Sequence, residues 1–294
     1  MCKRRCICLV AYLFFVFDAC FDPIEKQHLL TTFCHLNLLD KFMFGAWKAT
    51  ATLKRKVYPY GTNFLPSSSL FEGSPRNRDE KPGDTTTYEM HYFAANTEQG
   101  GNVNISIITD KSKIIADRVF NSISMSSAYK QLSQVNEVMW DYKKDPTRLT
   151  IKFSTLAEDF QPLGEKKAEI YMTARKSESG IDAESGERIF CASERLRSVV
   201  FVPGNVVVSD TETITEFRLV NDSDGSHVKA TSRISVYLTP NPNSREGLLW
   251  QEVNGKAVAF FDYDIDFRRL ENVDASDDRK KACVNTPSRV SQCV

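Results

Sequence analysis

Residues Gly45–Gly61 read GAWKATATLKRKVYPYG, and this stretch decides the fold class. Trp47, Ala49, Ala51, Leu53 and Val57 share one parity; Lys48, Thr50, Thr52, Lys54 and Lys56 share the other. A period of two, apolar against polar, is the signature of a strand with one face buried and one in water. Gly45 and Trp47 open the strand, and Pro59 with Gly61 closes it.

Working outward towards the C-terminus, the same alternation or β-branched enrichment marks strands at Thr85–Ala95, Val103–Ile107, Ile114–Val119, Glu137–Tyr142, Leu149–Phe153 and Ile170–Ala174. It continues at Arg188–Val202, Val206–Val220, His227–Leu238 and Ala257–Arg269. Ser244–Val253 predicts a short helix, whereas the polar, serine-rich Asn121–Gln134 predicts irregular chain or one or two helical turns. Pro66–Gly83 and Ser177–Gly186 read as long loops. The expectation is an all-β, mainly antiparallel domain over residues 44–270. Its form is a closed or nearly closed barrel of about 8–10 strands.

Towards the N-terminus, Lys3, Arg4 and Arg5 precede the apolar run Ile7–Phe17. A basic start and an apolar stretch of this length read as a secretory-type signal over residues 1–20, with an uncleaved anchor as the alternative. The run is short of the roughly 20 apolar residues that a helical membrane span needs, so no span is expected after processing. Asp22, Pro23 and Glu25 form a helix start, and Leu29, Phe33, Leu36 and Leu39 recur at helical spacing, which predicts a helix within residues 21–43. Residues 271–294 turn polar, with runs of both charges, and predict a disordered tail.

The chain of 294 residues carries Lys+Arg 38 against Asp+Glu 38. That balance argues against a nucleic-acid partner, which requires an excess of basic charge. Of the eight cysteines, Cys2, Cys6, Cys8, Cys20 and Cys34 crowd the first 34 residues, and no CxxC pair or finger spacing occurs, so no metal is expected. Cys283 and Cys293 are placed either to pair within the tail or to remain free thiols.

Common hydrolase, zinc-protease and nucleotide-binding motifs are missing, and no catalytic residue or cofactor is assigned. His91 and His227 have no partner in sequence and read as satisfied or surface histidines. Asp262, Asp264 and Asp266 share the outer face of the last strand. Alternate residues on a strand lie about 7 Å apart, too far for one ion to reach all three, so pairing with neighbours such as Lys54 or Lys56 is expected instead. Asn104 and Asn221 stand in glycosylation sequons.

The inward parities put Trp47, Tyr88, Met90, Tyr92, Phe261 and Tyr263 inside the barrel. They line a ligand cavity or fill the core; a cavity above about 300 Å³ is what a carrier of drug-sized ligands requires.

Gly45-Ala46-Trp47 at the start of the first strand resembles the G-x-W motif of lipocalins and other calycins. The resemblance implies that an arginine of the last strand, Arg268 or Arg269, packs over Trp47. A wider set of segments resembles an uncharacterised family of cyanobacteria and plastids, domain of unknown function 6816, over about Phe44–Leu270. These segments are FGAWKATATL, YPYGTNFLP, IIADRVFNSIS, VMWDYKKDPTRLTI, SDTETITEFRL, SVYLTPNP and AVAFFDYDIDF. It implies a lipocalin-like barrel in a plastid, thylakoid lumen or stroma, reached through the secretory-type signal; secretion is the alternative. The functional expectation is a carrier of a small hydrophobic molecule such as a pigment, isoprenoid or lipid. The alternatives are an interaction or assembly factor with a filled barrel, whose protein partner the sequence does not name, and a calycin-type cyclase or isomerase.

Overall fold

The computed structural model describes residues 39–65, 80–95, 114–129, 133–156, 162–202, 204–220, 225–241, 244–270, 283–285 and 291–293. The elements in chain order are β1 (Gly45–Val57), β2 (Thr85–Ala94), β3 (Ile114–Ala116), α1 (Arg118–Ala128), β4 (Ser133–Asp141), β5 (Asp145–Leu156) and β6 (Pro162–Ile181). There follow β7 (Arg188–Val202), β8 (Asn205–Leu219), β9 (His227–Tyr237), α2 (Arg245–Glu252) and β10 (Ala259–Arg269). The strands form one antiparallel ten-stranded sheet in the order β3-β2-β1-β10-β9-β8-β7-β6-β5-β4, curled into a half-barrel. β1 is the hinge of this order, since it pairs with β2 on one side and with the last strand of the sheet on the other.

The alternation in β1 explains how that hinge packs. Trp47, Ala49, Ala51 and Leu53 are buried on the concave face. Ala49 stands between Tyr88 of β2 and Phe267 of β10, so the small side chain leaves the volume that the neighbouring rings occupy. The parity does not run to the end of the strand. A bulge after Leu53 sets Arg55 opposite Asp262 and Val57 opposite Phe260, which removes Val57 from the inward series.

The two edge strands, β3 and β4, do not pair with each other; α1 packs against both β2 and β4 across the gap. β3 covers only Tyr92–Ala94 of β2. Beyond it, α1 takes the place of a strand. His91 N donates to Asn121 Oδ1 at 2.7 Å, Asn121 Nδ2 returns a bond to His91 O at 3.2 Å, and Glu89 N donates to Ser124 Oγ at 3.0 Å. Side chains thus satisfy edge groups that would otherwise offer a template to another chain. Asp117 starts the helix by accepting from Phe120 N at 2.9 Å.

The structure corrects several expectations. Ile114–Val119 is a strand only to Ala116, and the serine-rich stretch after it is the regular helix α1, in which Asn121 and Ser124 bond the β2 edge. Much of Ser177–Gly186 is strand: β6 runs to Ile181 against β7, since backbone pairing in a hairpin does not need apolar side chains. The predicted N-terminal helix lies mostly outside the described residues. Its last residues do not continue it: Leu39 forms a bridge with Ile114, and Lys41–Met43 make a 3-10 turn in which Asp40 accepts from Phe42 N and Phe42 and Met43 are buried. Within the predicted disordered tail, β11 (Cys283–Asn285) and β12 (Ser291–Cys293) form an antiparallel ladder with Cys283 and Cys293 as Cα partners. β11 lies alongside β1 and β2, with Cα atoms within 8 Å. The signal segment, most of the Pro66–Gly83 loop, the Val103–Ile107 strand, Asn104 and Asn221 lie outside the described residues. No helix among the described residues is long and apolar enough to cross a membrane.

Candidate functional site

One end of the half-barrel is closed around Trp47. The ring is fully buried, its Nε1 donates to Met43 O at 2.8 Å, and it meets the Phe267 ring edge-on at 6.4 Å. The Arg269 guanidinium lies 4.5 Å from the indole centroid. It also donates to three backbone carbonyls, Phe42 O at 2.9 Å, Phe44 O at 3.0 Å and Gly225 O at 3.1 Å. Gly45 has φ +116, a conformation that L side chains rarely adopt, which accounts for glycine at this entry to the strand. Of the two arginines the sequence offers, Arg269 is the one over Trp47; Arg268 faces outward and pairs with Asp266 at 2.9 Å.

The cavity lies further along the concave face, where Arg118 at the start of α1 reaches in. Its volume is about 150 Å³. Met90, Tyr92, Ile115, Trp140, Met172 and Phe217 supply most of its apolar wall. Its polar wall consists of Arg118, Glu194, Thr213 and Thr215. Arg118 Nη2 donates to Glu194 Oε1 at 2.6 Å, with the two side chains 17% and 23% exposed. The Arg118 guanidinium lies 6.0 Å from the Trp140 ring centroid, and Trp140 is itself held by a bond from its Nε1 to Pro146 O at 3.1 Å. The Tyr92 hydroxyl points to Met90 Sδ at 3.5 Å. Burial pushes the Tyr92 phenol well above its ordinary pKa, and the nearby Tyr88 and Glu194 push in the same direction.

Of the residues the sequence places inside the barrel, Met90 and Tyr92 stand on the cavity wall. Trp47, Tyr88, Phe261 and Tyr263 are buried in the packed core, Tyr263 with its hydroxyl donating to Glu80 Oε2 at 2.7 Å. Sequence reading missed Arg118 and Glu194. Glu194 did leave a signal: it shares a parity with Phe190, Ala192 and Leu196, a carboxylate in an otherwise apolar series. Arg118 left none, because its direction depends on a helix that composition argues against.

The two described histidines and the three outer aspartates are engaged elsewhere. The His91 ring stacks on Phe120 at 3.5 Å between centroids, and burial lowers its pKa to about 4. His227 Nε2 and Asp266 Oδ1 are 2.6 Å apart. Asp262 accepts from Arg233 at 2.7 Å and Arg55 at 2.6 Å, which holds its carboxyl below the usual carboxylate range. Asp264 pairs with Lys54 at 3.1 Å. The three outer aspartates therefore each have a cation of their own. Among the described residues, no three His, Cys, Asp or Glu side chains converge as a metal site.

A second, more open concavity of about 660 Å³ lies where α1 meets β4 and β5, and its lining includes Phe120, Ile123, Val138 and Met139. Ile123 and Met139 are 43% and 41% exposed there.

The model of the family described as Domain of unknown function (DUF6816) matches residues 40–271, from the 3-10 turn before β1 to the residue after Leu270. No curated protein matches the chain. No solved structure matches it either.

Proposed function

The chain belongs to the DUF6816 family, and we propose that its half-barrel binds one small hydrophobic ligand in the cavity that Arg118 and Glu194 line. The observation that carries this reading is a cavity of about 150 Å³ with an apolar wall and one charged pair set into it. A volume of that size accommodates a benzene-sized guest, and it is smaller than the roughly 300 Å³ of drug-sized pockets. The ligand is accordingly a single ring, or the end of a longer pigment, isoprenoid or lipid whose remainder lies outside. The Gly45–Trp47–Arg269 arrangement supports a lipocalin-like carrier. The basic and apolar start of the chain and the family resemblance support a plastid destination.

Native mass spectrometry of the full chain purified from its own cells, with an absorption spectrum, tests the reading. The expected result is a reproducible extra mass that is lost on denaturation. A bare chain mass, under conditions that retain ligand in a known carrier, overturns it.

One observation favours a second reading, an interaction factor: the open concavity beside α1 exposes Ile123 and Met139 together. A bare chain mass moves the preference to it.

A further inference from the structure

The cavity is electrically balanced before any ligand arrives. Arg118 and Glu194 meet at 2.6 Å with most of each side chain out of water. Two opposite unit charges that close cancel at longer range, so an incoming group meets little net charge. What the pair leaves is hydrogen-bonding capacity. A guanidinium has five N–H donors, and among the described residues Arg118 commits one, to Glu194. The Trp140 ring, 6.0 Å from the guanidinium, stands on the same cavity wall.

Three kinds of polar end can be weighed against this arrangement. A carboxylate enters beside Glu194, loses its hydration and gains no net positive charge in return. Burial, with Tyr88 and Glu194 adding to it, raises the pKa of Tyr92 on the same wall, so an anion is disfavoured there. A plain hydrocarbon leaves the Arg118 donors dry inside the cavity. A neutral oxygen, by contrast, accepts from Arg118 without disturbing the ion pair, while the ring packs on Met90, Met172 and Phe217.

We propose that the ligand is a neutral ring-sized molecule, or the ring end of a longer one, whose carbonyl or hydroxyl oxygen accepts a hydrogen bond from Arg118 inside the cavity. This rests on the cavity being a ligand site.

The test is titration of the full chain with four ring-sized probes, cyclohexanone, phenol, toluene and benzoate, followed by ligand-observed NMR at neutral pH. Cyclohexanone and phenol are expected to bind about tenfold or more tightly than toluene and benzoate. In Glu194→Gln, which leaves the Arg118 charge uncompensated, benzoate gains about tenfold and cyclohexanone moves little. In Arg118→Met, cyclohexanone falls to the level of toluene. Benzoate binding best to the natural chain, or toluene binding as tightly as cyclohexanone, overturns the proposal and leaves the cavity as a ligand site. Failure of all four probes to bind overturns the ligand-site reading itself. The order of affinities in the natural chain decides the matter even if a variant does not fold.

Discussion

The two halves of the sheet share continuous strand pairing and differ in what lies on their concave face. In the half made by β1, β2, β9 and β10, Trp47, Leu53, Phe261 and Phe267 are buried to within 1% and fill the space between strands. In the half made by β4–β8, Phe190 and Phe217 join the core, but the small Ala192 and its partner Thr215 across the β7–β8 ladder line a cavity. The cavity and its charged pair lie there, with Met90 and Tyr92 of β2 completing the wall from the other half. Backbone register therefore builds the frame, and side-chain volume decides which part of the frame is solid.

The largest effect expected from testing that contrast is in the solid half. Trp47→Ala should cost about 3–5 kcal/mol in urea denaturation, the usual range for truncating a buried aromatic ring. An unchanged midpoint would mean that the half is not held by its rings. Arg269→Met should cost about 2–4 kcal/mol, because it strips hydrogen bonds from the Phe42, Phe44 and Gly225 carbonyls as well as the contact with Trp47. Its neighbour Arg268→Met breaks only an exposed pair, and Asp266 keeps His227, so the same melt should move by about 0–1 kcal/mol.

A single substitution made in both halves sharpens the comparison. Ala49→Leu overpacks a site between Tyr88 and Phe267 and should cost about 1–3 kcal/mol. Ala192→Leu extends into the cavity, should stay within about 1 kcal/mol of the natural chain, and should abolish probe binding. Equal losses at the two positions would remove the distinction between solid and hollow halves.

At the seam the expected effect is confined to a window of pH. Burial lowers the His91 pKa from 6.5 to about 4, so the folded chain takes up that proton later than the unfolded chain as pH falls. The contribution is fully present above pH 6.5 and is lost as pH falls through 4. His91→Phe retains the ring against Phe120 and should flatten the pH dependence of the thermal midpoint in that window. An unchanged slope would place the His91 ring in water.

The frame was readable because period-two alternation survives wherever one face is buried and the other is wet. Gly45–Leu53 and His227–Tyr237 state their strands directly, and Gly45, Trp47 and a terminal arginine state how one end closes. The half-barrel's closure was not readable. α1 is a helix because Asp117 caps it and because Asn121 and Ser124 bond a strand far away in sequence, and local composition carries none of that. The cavity was half readable. Met90 and Tyr92 follow from parity, and Glu194 breaks a parity in a visible way, but Arg118 and Trp140 reach the cavity only through the helix and the opposite edge strand. The β1 bulge shows the same limit in miniature, since one extra residue after Leu53 reverses the faces of all that follow.

In a fully hydrogen-bonded barrel, strand number and stagger fix the radius in discrete steps. Here α1 packs against both β2 and β4, and among the described residues no ladder joins the two edges. The distance between those edges therefore follows from how side chains pack on α1 and not from a strand register, so a change of a methyl group or two on one short helix can shift it without re-registering a strand.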